Sequence, residues 1–496
     1  MKEQYISTRG TQEGLSASSA IIKGIASDGG LFVASHLNRM NLPLKDWLSC
    51  KTYSDFAQKV LSLFLTDFTA SQIEHCVTQA YETGKFSSQE PVQLEDVGDR
   101  AFLELYHGPT AAFKDMALTI LPHLMTTALK NVGADHRVLI LTATSGDTGK
   151  AALEGFKDVP GIGIVVYYPK DGVSLVQEKQ MITQEGDNTK VVGVVGNFDD
   201  TQTGVKLIFN NETIKAQLMT QNTVLSSANS INIGRLLPQI VYYFYSYFEL
   251  VRRDKIVLGD AVNYVVPTGN FGNILAGYYA RKMGLPVHKF VCASNNNCIL
   301  TDFINTGVYD TKRPFYKTSS PSMDILVSSN LERLLYDLCG EDASVVKGYM
   351  DLLNTEGVYR IDEELLGKVQ ELFYGGFADE NATKDAIRKT FEEKNYLMDP
   401  HTAVANAVYE AYVQKTADNT PAVILSTASP FKFSQSVYES LYGESPEDMD
   451  PFQQLKELSQ QTGVPIPKPL QDLETKPVRH QTVVDKQDMA TVLESI

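Results

Sequence analysis

Arg137-Val138-Leu139-Ile140-Leu141-Thr142 is an unbroken apolar run of strand length. It leads into the hydroxyl- and glycine-rich loop Thr142-Ala143-Thr144-Ser145-Gly146-Asp147-Thr148-Gly149, and then into a helical pattern that reaches Phe156. A run without polar alternation belongs to a strand covered on both faces, which is the environment of a parallel sheet between helices. The same unit repeats on either side. Upstream, Phe102 to Tyr106 reads as a strand, with a helix running to about Asn131. Downstream come Ile162 to Tyr168 with a helix from Val176 to Gln184, and Lys190 to Gly196 with a helix from Thr203 to Leu218. After a long aromatic-rich helix from about Ile233 to Arg252, strands follow at Asn263 to Val266, His288 to Ala293 and, late, Ala422 to Thr427. The expected class is therefore α/β, with open, mostly parallel sheets flanked by helices.

Around this alternation the chain divides into three parts. Residues 1–95 form a mixed N-terminal unit, closed by the polar, acidic stretch Ser87 to Gly98. Residues 96–450 carry the alternating region, with a smaller subdomain at about 135–230 set into a larger one. Residues 451–496 read as a peripheral extension. The stretch Asn295 to Tyr316 reads as a polar loop, and no internal repeat stands out. A formal net charge of −16 over 496 residues excludes a general nucleic-acid binder, which would need a basic face. The five cysteines form no C-x-x-C pair and are odd in number, so neither a zinc site nor a disulfide framework is expected. Without an apolar leader or a long apolar run, the expectation is a cytoplasmic protein with no membrane span.

Chemistry concentrates in four places. The first is His107-Gly108-Pro109-Thr110-Ala111-Ala112-Phe113-Lys114-Asp115, where one lysine sits among small and apolar residues. A desolvated amine loses its proton more readily and becomes a nucleophile; the plainer reading is a lysine whose stem packs while its head meets water. The other three are loops that leave strand ends, where open parallel sheets bind ligands. The loop 142–149 offers hydroxyls and amides at a helix start. It is not a phosphate-binding Walker loop, because Thr144 and Ala151 stand where that motif needs Gly and Ser or Thr. Pro267-Thr268-Gly269-Asn270-Phe271-Gly272-Asn273 places two glycines at another helix start, suited to a close phosphate but not to a dinucleotide. Leu425-Ser426-Thr427-Ala428-Ser429-Pro430-Phe431-Lys432-Phe433 can turn the Thr427 hydroxyl toward a ring nitrogen. A buried lysine, a phosphate cradle and a hydroxyl on another strand end together match the needs of pyridoxal phosphate.

The motifs His-Gly-Pro-Thr-x-x-Phe-Lys-Asp at 107–115, Ser-Gly-Asp-Thr-Gly at 145–149 and Gly-Asn-Phe-Gly-Asn at 269–273 resemble those of the threonine synthase family, pyridoxal-phosphate enzymes of fold type II. So do Ser7-Thr8-Arg9-Gly10, Asp28-Gly29-Gly30-Leu31, the stretch from Asn229 to Arg235 with Pro238-Gln239, and Asp399 to Ala403; the likeness runs from about residue 5 to 440. The resemblance implies two open sheets with the cofactor between them and a small N-terminal domain. It implies that Lys114 carries the cofactor as an imine and acts as catalytic base and acid. Gly269, Asn270, Phe271, Gly272 and Asn273 would hold the cofactor phosphate, Thr427 would face the ring nitrogen, and Asp147 would lie beside the phenolic oxygen. An aspartate can donate a hydrogen bond there only when protonated. The implied reaction turns O-phospho-L-homoserine and water into L-threonine and phosphate. Loss of a phosphate calls for fixed donors and positive charge, and Ser145, Thr148, Asn229 and Arg235 are the candidates. The chain departs from the family at Ser429, where a histidine is usual. His401 reads as a hydrogen-bonded core histidine. The alternatives are a related lyase or dehydratase for an unphosphorylated serine- or threonine-like substrate, and a non-catalytic cofactor-binding relative. The expected partner is a small molecule, with the protein a monomer or small homo-oligomer.

Overall fold

The computed structural model describes residues 4–10, 14–35, 37, 40–144, 146–443 and 449–495. Two sheets organise it. The larger has six strands in the order Phe373–Phe377, Val287–Ser294, Val262–Pro267, Ala422–Ser426, Arg100–Glu104 and Gln93–Val97. Every pairing is parallel except the last, an antiparallel hairpin at the edge. The smaller has five strands, all parallel, in the order Thr482–Asp485, Thr189–Val195, Ile162–Pro169, Arg137–Ala143 and Thr223–Ser226. The apolar runs read from sequence are its centre: Ile162–Pro169 is buried along its whole length, and Arg137–Ala143 at every residue but the first.

Helix Ile233–Arg252 is buried at 17 of its 20 residues. A helix so enclosed must satisfy its tyrosine hydroxyls internally. Tyr243 donates to the Asn273 carbonyl at 2.8 Å, and Tyr242 to the Asn273 side chain at 2.6 Å. The N-terminal unit packs against this helix through Tyr53–Phe64, which opens with a reciprocal Thr52/Asp55 capping box. Trp47 stacks on Phe244 with ring centroids 3.9 Å apart.

Four expectations are corrected. The stretch Ser87 to Gly98, read as the polar close of the N-terminal unit, contains Gln93–Val97, the antiparallel edge strand of the large sheet. The helix expected to run to Asn131 is two, Asp115–Leu118 and Leu121–Asn131, the second with a proline in its first turn, where no amide hydrogen bond is lost. The stretch Asn295 to Tyr316 holds the helix Ile299–Thr306 and the strand Val308–Asp310. The tail is structural: Thr482–Asp485 adds a fifth strand to the small sheet. Behind it Met489 and Leu493 are buried, and Tyr167 donates to the Met489 carbonyl at 2.9 Å. Among the described residues no helix is long and apolar enough to cross a membrane, and no group of three or more His, Cys, Asp or Glu is placed to hold a metal.

Candidate active site

Lys114 immediately precedes the short helix Asp115–Leu118. Its loop is fastened to the end of the central strand Ala422–Ser426. The Phe113 amide donates to the Thr427 carbonyl at 2.8 Å, and the Ser429 amide to the Ala111 carbonyl at 3.1 Å. Asp115 closes the loop from inside, accepting from the Thr110 amide at 2.8 Å and the Thr110 hydroxyl at 2.6 Å. Gly108 is required beside it, because a Cβ there would lie 2.5 Å from the Asp115 carboxylate. The Lys114 loop and the Thr427 loop are thus tied to each other by backbone hydrogen bonds.

The Lys114 side chain is 11 % exposed, with Nζ 3.2 Å from Ser322 Oγ and 3.7 Å from Asp147 Oδ2. Burial brings its pKa down to about 8; Asp147 works against this, while Lys432 and Arg235 reinforce it. A second lysine stands behind. Lys432 is fully buried, with Nζ 2.8 Å from Asp147 Oδ1, and it donates to the Thr110 carbonyl at 2.9 Å. Gln177 Nε2 donates to the same Asp147 oxygen at 3.0 Å. Burial alone would raise the Asp147 pKa, but Lys432 and then Lys114 hold it well below the ordinary carboxylate range. Asp147 is therefore an ionised acceptor held by two ammonium groups and an amide.

The turn 269–273 joins Val262–Pro267 to the helix Gly272–Lys282. Phe271 occupies the left-handed region at φ 62°, a conformation costing about 1–3 kcal/mol for a residue with a side chain. Its ring is buried, 5.8 Å from that of Phe373. A Cβ on Gly269 would sit 2.4 Å from the Ser322 carbonyl oxygen. Ser322 therefore touches the turn with its backbone and Lys114 with its hydroxyl, so the two places are neighbours. The turn is gripped from the other side by Asn330, whose amide and side chain donate to the Asn270 carbonyl at 3.1 Å and 3.0 Å. The helix that follows Asn330 is clasped by the N-terminal Ser-Thr-Arg-Gly motif: Arg9 makes two 2.9 Å hydrogen bonds to Glu332.

Donors without acceptors collect nearby. Arg235 is 3 % exposed, gives one hydrogen bond to the Ala228 carbonyl at 3.0 Å, and leaves Nε without a partner. It forms no ion pair among the described residues, and burial lowers its pKa to about 10. The Asn273 side-chain Nδ2 and the Asn229 side-chain Oδ1 are also buried without partners; for such an amide, oxygen and nitrogen are interchangeable assignments. Unsatisfied buried polar groups are rare in folded proteins and point to a missing ligand. Thr427 is buried at the strand end, and Thr148 is half-buried in the first turn of the helix Asp147–Phe156. Ser145 lies outside the described residues. A reactive amine, a tight turn at a helix start and uncommitted donors fit a ligand with an aldehyde and an anionic tail, as pyridoxal phosphate has.

Three residues escaped the sequence reading. Lys432 was visible only as a member of a motif, and Gln177 as one polar residue of a helix. Ser322 sits in the single turn Pro321–Met323, with no sequence signal at all. His401 is a core residue beside the site. Its Nδ1 lies 2.7 Å from Asp399 Oδ1, and its Nε2 accepts the Ser322 amide at 3.2 Å, so it fixes Ser322. One consequence is testable. Gly269→Ala must displace Ser322, and a loss of about 1–3 kcal/mol is expected from such overpacking. Urea denaturation measures it, and an unchanged midpoint would mean the turn yields freely.

The chain is similar to known proteins along most of its length. The threonine synthase N-terminus profile matches residues 4–81, and the threonine synthase C-terminal profile matches residues 402–496. Human threonine synthase-like 1 is 40 % identical over 459 residues, 88 % of this chain, and the match spans 61 % of that longer protein. The threonine synthase of Pseudomonas aeruginosa is 37 % identical over 446 residues, covering 89 % of this chain and 91 % of its own. The crystal structure of a pyridoxal-phosphate-bound threonine synthase from Brucella melitensis superposes with a TM-score of 0.86 at 35 % identity, over 99 % of this chain and 98 % of that one. The yeast threonine synthase structure gives 0.87 at 31 % identity, over 100 % and 98 %. At 37 % identity to a threonine synthase matched over 91 % of its length, and with a solved threonine synthase superposing over 99 % of this chain, the chain belongs to the threonine synthase family.

Proposed function

We propose that this chain is a threonine synthase, converting O-phospho-L-homoserine and water to L-threonine and phosphate with pyridoxal phosphate held on Lys114. The observation that carries the reading is the buried Lys114 amine, pKa about 8, set beside the turn 269–273 and near a buried guanidinium with no carboxylate partner among the described residues. When bound, the cofactor supplies an electron-accepting ring that acidifies the substrate α carbon. The chain supplies the rest. Lys114 Nζ takes and returns protons at the α and β carbons; a group that titrates near neutrality can do both. Asp147 and Lys432 set its charge. The amides of Gly269, Asn270, Phe271, Gly272 and Asn273 would hold the cofactor phosphate at a helix start, and the Thr427 hydroxyl would face the ring nitrogen. Arg235, with Asn229, Thr148 and Ser145, holds the phosphate that leaves from the substrate. All five cysteines are free thiols, in keeping with a reducing, cytoplasmic setting.

The test is release of inorganic phosphate from O-phospho-L-homoserine with formation of threonine. No phosphate release, together with ammonia release from serine or threonine, would replace this reading with the unphosphorylated-substrate lyase. Inactivity toward both would leave a cofactor-binding relative. Arg235→Ala is expected to raise KM for the phosphorylated substrate by about 10-fold or more, the effect of losing a charge-assisted hydrogen bond. An unchanged KM removes Arg235 from the phosphate site.

A further inference from the structure

Among the described residues Lys114 Nζ makes one hydrogen bond, to Ser322 Oγ at 3.2 Å, although the Asp147 carboxylate lies only 3.7 Å away. A buried ammonium left to itself closes on a carboxylate, where pairing favours its charged, unreactive form. Something keeps this amine on a neutral hydroxyl instead. Ser322 sits in the single turn Pro321–Met323, and that turn is held at three points. The Ser322 carbonyl is pressed against Gly269, and its amide is taken by His401. Two residues on, Asp324 accepts from the side chains of Asn295, Asn297 and Thr318 at 2.8, 2.9 and 2.7 Å.

The His401 ring is wired for holding rather than for proton transfer. Its Nε2 takes the Ser322 amide at 3.2 Å, which only an unprotonated nitrogen can do. The ring proton therefore sits on Nδ1 and points at Asp399 Oδ1, 2.7 Å away. Asp399 is fixed in turn. It caps the helix Pro400–Thr416, accepting the His401 amide at 2.9 Å and the Thr402 hydroxyl. Both side chains are buried. Aspartate, histidine and serine linked in this order suggest a nucleophilic triad. Here the ring meets the serine's amide and not its hydroxyl, so it draws no proton from Oγ, and the hydroxyl is left to Lys114.

We infer that Ser322 is a further catalytic residue, its hydroxyl holding the free Lys114 amine off Asp147, and that His401, oriented by Asp399, is its positioning residue. The inference rests on the reading of Lys114 as the amine that reacts. Such an amine must be free for part of each turnover and return to the same place. A fixed hydroxyl gives it one resting position. Because the carbonyl of the same residue abuts the turn 269–273, Ser322 also sets the spacing between the amine and that turn.

Competitive labelling of Lys114 with acetic anhydride in the cofactor-free full chain, mapped by peptide mass, reads the amine directly. Ser322→Ala and His401→Leu are each expected to slow labelling by about 5- to 10-fold, the effect of one hydrogen bond. His401→Gln, whose Oε1 can take the Ser322 amide where Nε2 did, is expected to recover most of what His401→Leu loses. Adding His401→Leu to Ser322→Ala should cost little more, since the ring acts through the hydroxyl. In the loaded enzyme Ser322→Ala should lower kcat by a similar factor, with KM within about 2-fold of the parent. Four results would overturn the inference: parental labelling in Ser322→Ala, an unchanged kcat in that variant, His401→Gln as impaired as His401→Leu, or a double variant that falls by the product of the single effects. The labelling needs no substrate, so a parent inactive on O-phospho-L-homoserine would strike the proposed reaction and leave the labelling results standing.

Discussion

Lys114→Ala is expected to give a folded protein whose turnover is at least about 10³-fold lower, as for loss of a nucleophile that is also the general base. Borohydride reduction with pyridoxal phosphate should label Lys114 in the parent and nothing at the site in the variant. The only other buried lysine in the cluster, Lys432, is committed to Asp147 and the Thr110 carbonyl, so a label found there would overturn the assignment. Folding should survive, because the amine is a burden to the fold rather than a support. Its folded-state pKa, about 8, lies below the ordinary lysine value of 10.5. Between those values the unfolded chain binds more protons than the folded one, so stability rises with pH across that window. Below pH 8 the full penalty applies. The alanine variant of the cofactor-free protein should lose this rise, which denaturation at pH 7.5 and pH 10 would reveal; a persisting rise of the same size would assign it to another group.

Lys432→Met is expected to cost about 3–5 kcal/mol of stability, the effect of stranding one partner of a buried ion pair. Asp147 would keep only Gln177 at 3.0 Å and Lys114 at 3.7 Å. The pH dependence follows from the same pair. Asp147 has a depressed folded-state pKa, so its contribution is present above the unfolded value of 3.8 and is lost as pH falls through the folded one. Without Lys432 that folded value moves up, and acid unfolding should begin at higher pH. Lys114 also loses a neighbouring cation that drives its proton off, so the acidic limb of the pH–rate profile should move upward too. Urea midpoints at pH 7 and pH 5 check the first effect and the profile checks the second. Midpoints equal to the parent's at both pH values would show that the pair contributes nothing.

The parts of the fold that could be read from sequence are those where burial alone writes the pattern. Leu139, Ile140 and Leu141 are covered on both faces, and the residues around them announce it. Gly269 and Gly272 were conspicuous as a pair following a strand, and Gly269 has no room for a side chain against the Ser322 carbonyl. What stayed hidden depended on distant partners. Gln93–Val97 reads as part of a polar boundary stretch because only Leu94 and Val97 of its five residues are buried. Thr482–Asp485 is exposed at three of four residues, so its pairing with Thr189–Val195 left almost no hydrophobic trace. In the site, Lys114 was legible through its neighbours in sequence. Ser322, Gln177 and Lys432 matter through where three other elements carry them, and local composition holds no record of that. Asp147 was expected beside the cofactor's phenolic oxygen, and nothing local in its sequence announces Lys432, more than half the chain away, which holds its carboxylate ionised.

The late strand also bears on how the protein is made. Thr482–Asp485 lies beside Thr189–Val195, so that border of the small sheet must wait, unzipped, while the ribosome adds most of the remaining polypeptide. An unpaired row of amides and carbonyls on a valine-rich segment is a template for mispairing with another nascent chain. The folded chain covers this row with the strand Thr482–Asp485, so deleting that strand should show first as insoluble product during expression, ahead of any change in chemistry.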